Sequence, residues 1–248
     1  MEILISAVVS GLMLGLVLAI VALGLTIIFG VMDMVNFAHG EFLMIGMYAG
    51  LLTAQATGAD PLLGLPVAAG VGFLLGLACY HGLAKYLLRG PMLAQLLGTF
   101  GLMLFLRNLA LLIMGSEDRA IHEGILVGKS FEVGLGAIIP ATKLAAAIFA
   151  VLAFVGVWLL MNKTKVGKAL TATSLNAEGA RYMGIRTERM NALAWGLGGA
   201  TATLSGALLV NFWSVNPFVG LLFTMIALPW WPWVDSAASP GPSWPGWW

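Results

Sequence analysis

No charged residue interrupts the largely apolar run from position 3 to position 30. A helix of that length, rising about 1.5 Å per residue, reaches roughly 40 Å, which exceeds the hydrocarbon core of a bilayer. The run follows Met1-Glu2 with no basic lead and is longer than the apolar part of a signal peptide. It reads as a retained first transmembrane helix. Further apolar stretches occupy 42–56, 62–84, 92–114, 141–161 and 191–212, and another begins near 218. The pattern predicts an all-α fold, a polytopic transmembrane helix bundle of six spans plus a truncated seventh, within a membrane domain covering 1–228. The stretch 42–56 is short for a full crossing. Pro61, Pro91, Pro140 and Pro217 stand at or near the starts of four segments, where a missing N–H costs least.

Composition agrees. Of the 248 residues 60% are apolar and 9% charged, where a soluble domain carries about 25% charge. Lipid must therefore be part of the solvent, and no separate soluble domain is visible. The net charge of +1 says little, and nothing in the sequence suggests a nucleic-acid partner. Cys79 is the sole cysteine, which excludes an intramolecular disulfide and a cysteine metal cluster; it reads as a small buried residue in an apolar run.

Basic residues orient the chain. The loop 162–190 holds Lys163, Lys165, Lys168, Arg181, Arg186 and Arg189 against Glu178 and Glu188, and the turn at 85–90 holds Lys85 and Arg89. Both are expected on the cytoplasmic side. The loop 115–139 carries Glu117, Asp118, Glu123 and Glu132 against Arg119 and Lys129, and is expected outside, with Lys143 as a mild exception. The N-terminus then lies outside and 31–41 toward the inside. Three GxxxG pairs (Gly11/Gly15, Gly46/Gly50 and Gly72/Gly76) and the run of small residues from Gly196 to Gly206 predict tight packing of helix on helix.

Three polar segments could carry chemistry. The first, Asp33-Met-Val-Asn-Phe-Ala-His-Gly-Glu41, interrupts two apolar stretches. Polar groups at membrane depth are costly unless they face protein or a water-filled path. On a helix Asn36 and His39 would share a face. Either Asn36, His39 and Glu41 line a translocation route on a broken helix, or the segment is an interfacial turn with His39 bonded to backbone. No second His or Cys stands at zinc-ligand spacing.

The second segment is the short helix expected over 176–185. Ala177, Ala180 and Met183/Gly184 fall on one small apolar stripe flanked by Glu178 and Arg181, with Gly184 as the stop. It either docks on a soluble partner or merely fixes topology against anionic headgroups. The third is Arg107 with Asn108, deep in the fourth stretch, which either snorkels outward or serves a gate. No phosphate-binding GxxxxGK[ST], HExxH or GxSxG motif is present, so ATP hydrolysis and the common hydrolase chemistries are not expected here.

The string Ala22-Leu-Gly-Leu-Thr-Ile-Ile-Phe-Gly30, followed by Val35-Asn-Phe-Ala-His-Gly-Glu-Phe42, resembles the first helix and polar break of permease subunits of branched-chain amino-acid ABC importers. Thr164-Lys-Val-Gly-Lys-Ala169 and the stretch from Glu178 to Ile185 resemble their cytoplasmic coupling loop, with Gly179 where the family usually has alanine. The resemblance covers about residues 5–227. It implies a bacterial cytoplasmic (inner) membrane protein that is not itself an enzyme and needs no cofactor. The implied partners are a second permease subunit, two cytoplasmic ATPase subunits and an external substrate-binding protein. Ala177, Glu178, Ala180, Arg181, Met183 and Gly184 would contact the ATPase, and Asn36, His39 and Glu41 would belong to the route. Leucine, isoleucine and valine are the default cargo; close relatives carry urea and short amides. An ion-coupled secondary transporter would need a second, matching break in inverted repeats, and the sequence offers one polar break only.

Residues 229–248 contain five of the ten prolines and six of the nine tryptophans. Pro229-Trp-Trp-Pro-Trp233 cannot continue a helix begun near 218. Tryptophan is TGG and proline CCN. Reading the last base of each codon with the first two of the next therefore permits Val-Ala-Leu-Gly-Gly-Phe-Gly-Ser-Val-Pro-Gly-Ala from residue 230 onward. That string is apolar and glycine-rich. The expectation is a reading-frame error over 229–248, after which the native chain carries at least one further helix.

Overall fold

The computed structural model describes residues 2–58, 61–121, 128–133 and 137–227; the segment 229–248 lies outside them. The long apolar run forms α1 (Glu2–Met32), stopped where Asp33 takes a left-handed φ of 53°. After a non-helical stretch, α2 (His39–Thr57) runs to Gly58, whose φ of 62° lets its N–H close on the Ala54 carbonyl. A 3-10 turn (Pro61–Gly64) leads into α3 (Leu65–Cys79), which loosens through a π turn (Tyr80–Ala84) and ends in one further turn, α4 (Lys85–Leu87). Then come α5 (Met92–Met114), α6 (Ala141–Lys163), α7 (Lys165–Leu175), α8 (Ala177–Tyr182), α9 (Thr187–Leu209) and α10 (Val219–Ala227). Pro91 and Pro140 cap α5 and α6 with extended backbone, as their positions predicted, and Pro217 precedes α10 by two residues.

One element departs from the all-α expectation. Within the acidic loop, β1 (Ser130–Val133) pairs antiparallel with β2 (Ala137–Pro140), Phe131 opposite Ile139. The β-branched and aromatic residues there favour a strand over a coil once the chain leaves the helical layer.

Among the described residues, five helices are long and apolar enough to cross a membrane: Leu4–Met32, Pro61–Leu87, Met92–Met114, Ala141–Lys163 and Thr187–Leu209. The stretch read as the second of six spans, α2, is not among these five. It carries His39, Glu41 and Gln55, and from His39 to Leu51 it is almost wholly buried in the bundle. The helix begun near 218 is described over nine residues.

At the centre stands α9, enclosed by α1, α2 and α3. Its small residues allow backbone to meet backbone. A Cβ at Gly206 would overlap the Leu43 carbonyl, one at Gly46 the backbone of Thr203, and those at Gly72 and Gly76 the carbonyls of Gly199 and Trp195. The pairs Gly46/Gly50 and Gly72/Gly76 thus both face α9. Gly11 and Gly15 meet nothing within 4 Å and play no part in packing within the chain. Outward, Val8, Leu12, Leu97, Phe105, Leu112 and Leu152 stay exposed, as a surface solvated by lipid requires.

The two ends differ. At one, Leu170 of α7 is buried against Ile27 near the end of α1 and Ala194 of α9. At the other lie the hairpin and the loop after α5. There the Lys143 ammonium stands 6.0 Å from the Phe212 ring centre, which gives that exceptional lysine a cation–π partner.

Candidate functional site

Asp33 ends α1, but the chain does not turn at a surface. His39 Nε2 lies 2.9 Å from the Val21 carbonyl oxygen. Val21 stands eleven residues before the end of α1 at Met32, so α2 starts roughly 16 Å back along it at 1.5 Å per residue. The stretch 33–38 therefore climbs into the bundle, and the helix after it begins at depth. The backbone bond from His39 that the turn reading expected is present, made at depth in the bundle to Val21.

Asn36, His39 and Glu41 are 1%, 1% and 0% exposed. Asn36 lies before the helix, so it does not share a helical face with His39. Its Oδ1 instead accepts the Ala38 N–H at 3.0 Å, an Asx-type turn that aims the chain into α2. The Thr99 hydroxyl of α5 donates to the Val35 carbonyl at 3.3 Å. Among the described residues, Asn36 Nδ2, His39 Nδ1 and Glu41 Oε2 are buried without a hydrogen-bond partner. Buried polar atoms of that kind are expensive and uncommon in ordinary cores.

Glu41 Oε1 accepts from Arg107 Nη2 at 2.5 Å. The Arg107 side chain is 13% exposed, so it does not snorkel outward but turns inward to pair. This is the contact that residue-by-residue reading missed. The available signal was two opposite charges, each deep in an apolar stretch, where each needs the other.

From the far side, α10 meets the start of α2. The Thr224 hydroxyl accepts the Gly40 N–H at 3.1 Å and donates to the Gly220 carbonyl at 2.9 Å. A Cβ at Gly40 would overlap the Gly220 carbonyl, so the two first turns touch through bare backbone.

In the basic loop, Asn176 Oδ1 caps α8 by accepting the Gly179 N–H at 2.8 Å, and Gly184 ends it with φ 81°. Arg181 Nε donates to the Thr187 hydroxyl at 2.8 Å, tying α8 to the start of α9. Ala180 faces inward and is buried, while Ala177, Glu178, Arg181, Met183 and Gly184 are exposed. The predicted stripe is thus split. The outward apolar face consists of Leu175, Tyr182 and Met183, all more than 80% exposed.

The family model for the branched-chain amino acid transport system / permease component matches residues 7–230, which takes in all but the first turn of α1, the helices through α10 and every site above. The chain belongs to this permease family. LivH of Salmonella typhimurium, a high-affinity branched-chain amino acid transport system permease protein, is 31% identical over 231 residues, covering 88% of this permease and 74% of LivH. BraD of Pseudomonas aeruginosa, another such protein, is 28% identical over 86% of the permease and 73% of BraD. LsrC of Escherichia coli, an autoinducer 2 import system permease protein, is 34% identical over 146 residues, 57% of the permease and 40% of LsrC. No solved structure matches the permease.

The turn between α9 and α10 repeats the local bonds of the break before α2. Asn216 Oδ1 accepts the Phe218 N–H at 2.9 Å, as Asn36 accepts that of Ala38. The Val219 N–H closes on the Asn216 carbonyl at 3.3 Å, as the His39 N–H closes on that of Asn36 at 3.3 Å. A helix starts three residues after each asparagine, at His39 and at Val219. The sequence signal is the recurrence of Val35, Asn36 and Gly40 as Val215, Asn216 and Gly220.

Proposed function

We propose that this permease forms half of the translocation pathway of an ABC importer for branched-chain amino acids, in the cytoplasmic membrane, driven by ATP hydrolysis on partner subunits. The observation that carries the reading is the break at depth, where three buried polar side chains each keep an unpartnered atom inside a lipid-facing bundle. Such groups persist where water or substrate passes in another conformational state. The proposed assembly has a second permease, two cytoplasmic ATPases and an external binding protein. In it α2 and α10 count as a shortened second crossing and the start of a seventh. The names of LivH and BraD support the cargo. We also read 229–248 as out of frame, supported by the family match running to residue 230; sequencing codons 225–248 decides that point.

Reconstituted with its partners in vesicles, the permease is expected to take up radiolabelled leucine only with ATP. ATP-driven uptake of urea or acetamide, with none of leucine, would overturn the cargo. The exposed residues Tyr182 and Met183 give the coupling reading its own test. Tyr182→Asp with Met183→Asp is expected to remove ATPase subunits from a pull-down and to lower uptake at least tenfold, with membrane level unchanged. Intact association would place the contact elsewhere.

The route itself is read by thiol chemistry. In a Cys79→Ala background, Asn36→Cys, His39→Cys and Glu41→Cys are each expected to react with a water-soluble maleimide in at least one nucleotide state. Complete protection of all three in every state assigns them to structure alone.

A further inference from the structure

We propose that Glu41 and Arg107 recognise the two charged ends of the cargo, a zwitterionic aliphatic amino acid, while its side chain lies in the cleft just outward of them between α2, α3 and α5. The proposal deepens the importer reading given above and rests on it.

The cleft encloses about 450 Å3, a size typical of small-molecule sites. Its walls include Ile45, Tyr48 and Ala49 of α2, Val71 of α3, and Leu106 and Ala110 of α5. Ile45 follows Glu41 by one helical turn, and Ala110 follows Arg107 by three residues, so each charged residue continues a lining stripe inward. Their ion pair joins α2 to α5 beyond Ile45 and Leu106. The cleft is thus apolar along its walls and charged at its inner end.

That order of surfaces selects the occupant. A lipid chain entering from the outer leaflet would bring its methyl end against the two charges. A small aliphatic zwitterion, entering with its charged end first, matches both surfaces. The wall also carries the Tyr48 hydroxyl, which is buried and without a hydrogen-bond partner among the described residues. A hydrocarbon chain could not satisfy that hydroxyl, whereas a polar solute or the water that accompanies it can.

The state of the ion pair shows how the exchange would run. It is made through Arg107 Nη2 and Glu41 Oε1 at 2.5 Å. Arg107 Nε, on the same edge of the guanidinium, is buried and has no partner among the described residues. That edge is a fork suited to a carboxylate. When the cargo carboxylate takes both Nε and Nη2, Glu41 Oε1 is released to accept from the cargo ammonium. Glu41 Oε2 stays turned toward Gly220, where a Cβ would overlap it. One ion pair becomes two, no charge is stranded, and the bridge between α2 and α5 is broken. A ligand with a single charge would leave either Glu41 or Arg107 unpaired at membrane depth, which is costly. The pair therefore acts as a latch at the inner end of the cleft, opened by a zwitterion and held shut against singly charged molecules of the same shape.

The test uses the assembled importer in lipid nanodiscs without its binding protein, in a Cys79→Ala background with Ala110→Cys as reporter; Ala49→Cys takes its place if that variant fails to assemble. A water-soluble maleimide is expected to label the reporter, and millimolar leucine to slow that labelling at least fivefold. At the same concentration 4-methylpentanoate and 3-methylbutylamine, which keep the side chain and one charge each, are expected to leave the rate within twofold. With Glu41→Gln and Arg107→Gln together, leucine protection is expected to vanish while the reporter still labels. Protection that survives in this double variant, or that the singly charged analogues reproduce, overturns the inference. So does a reporter that leucine leaves unprotected, or one that never labels, which would place lipid in the cleft. ATP-driven leucine uptake by the parent importer in vesicles, with the binding protein restored, is read separately: its presence leaves the importer reading standing whatever the reporter shows, and its absence removes both.

Discussion

Arg107→Leu is expected to destabilise the permease by about 3–5 kcal/mol, the usual cost of leaving one member of a buried ion pair without the other. Glu41 is fully buried, and its Oε1 has Arg107 as its partner. Without the guanidinium, a carboxylate would sit among Gly40, Gly220 and apolar side chains at membrane depth. Removing both charges is gentler, because neither is then stranded. The double variant Glu41→Gln with Arg107→Gln is therefore expected to regain at least half of the lost stability. Denaturation of the purified proteins in detergent measures these two variants, and the single variants Glu41→Gln and Arg107→Gln close the cycle that yields the coupling between the residues. An Arg107→Leu protein that unfolds at the native midpoint would show that the pair contributes nothing.

Gly206→Val is expected to prevent the bundle from closing. The added Cβ would meet the Leu43 carbonyl and the Met47 amide, which are backbone atoms that cannot rotate away. Overpacking against movable side chains costs about 1–3 kcal/mol, and here α2 and α9 must separate along their length. Size-exclusion chromatography after solubilisation is expected to give aggregate in place of a single peak. Gly15→Val, at a site open for 4 Å around, serves as the control and is expected to elute as the parent does. Equal failure of both variants would point to general intolerance of valine and not to the α2/α9 contact.

Where the chain enters and leaves helices was legible because the signals are local. Pro91 and Pro140 begin α5 and α6, Gly184 ends α8, and the small residues from Gly196 to Gly206 mark the helix with the closest neighbours. Depth was not legible. Hydropathy counts apolar residues but cannot say that α2 begins beside Val21, a bond across eighteen positions. The Glu41–Arg107 pair spans sixty-six positions and reads as two separate anomalies until α5 is laid against α2. The period of 3.6 placed Ala177, Ala180 and Met183 on one stripe, but Ala180 is buried while the other two are exposed, because Arg181 reaches Thr187 and sets how the short helix lies. The repeated turn before α10 escaped notice because it carries no charge, and only a valine, an asparagine and a glycine repeat.

The central position of α9 has a consequence for how the protein is made. It is the least apolar of the five crossing helices, yet 78% of its most apolar window is buried, against 17% for α5 and α6. Glycine, serine and threonine give a nascent segment little reason to leave the insertion channel for lipid. Its true solvent is the surface presented by α1, α2 and α3, all synthesised earlier. On that basis α9 is expected to settle in the membrane only against helices that precede it in the chain, so that a chain in which α1–α3 are incomplete is expected to leave it poorly inserted.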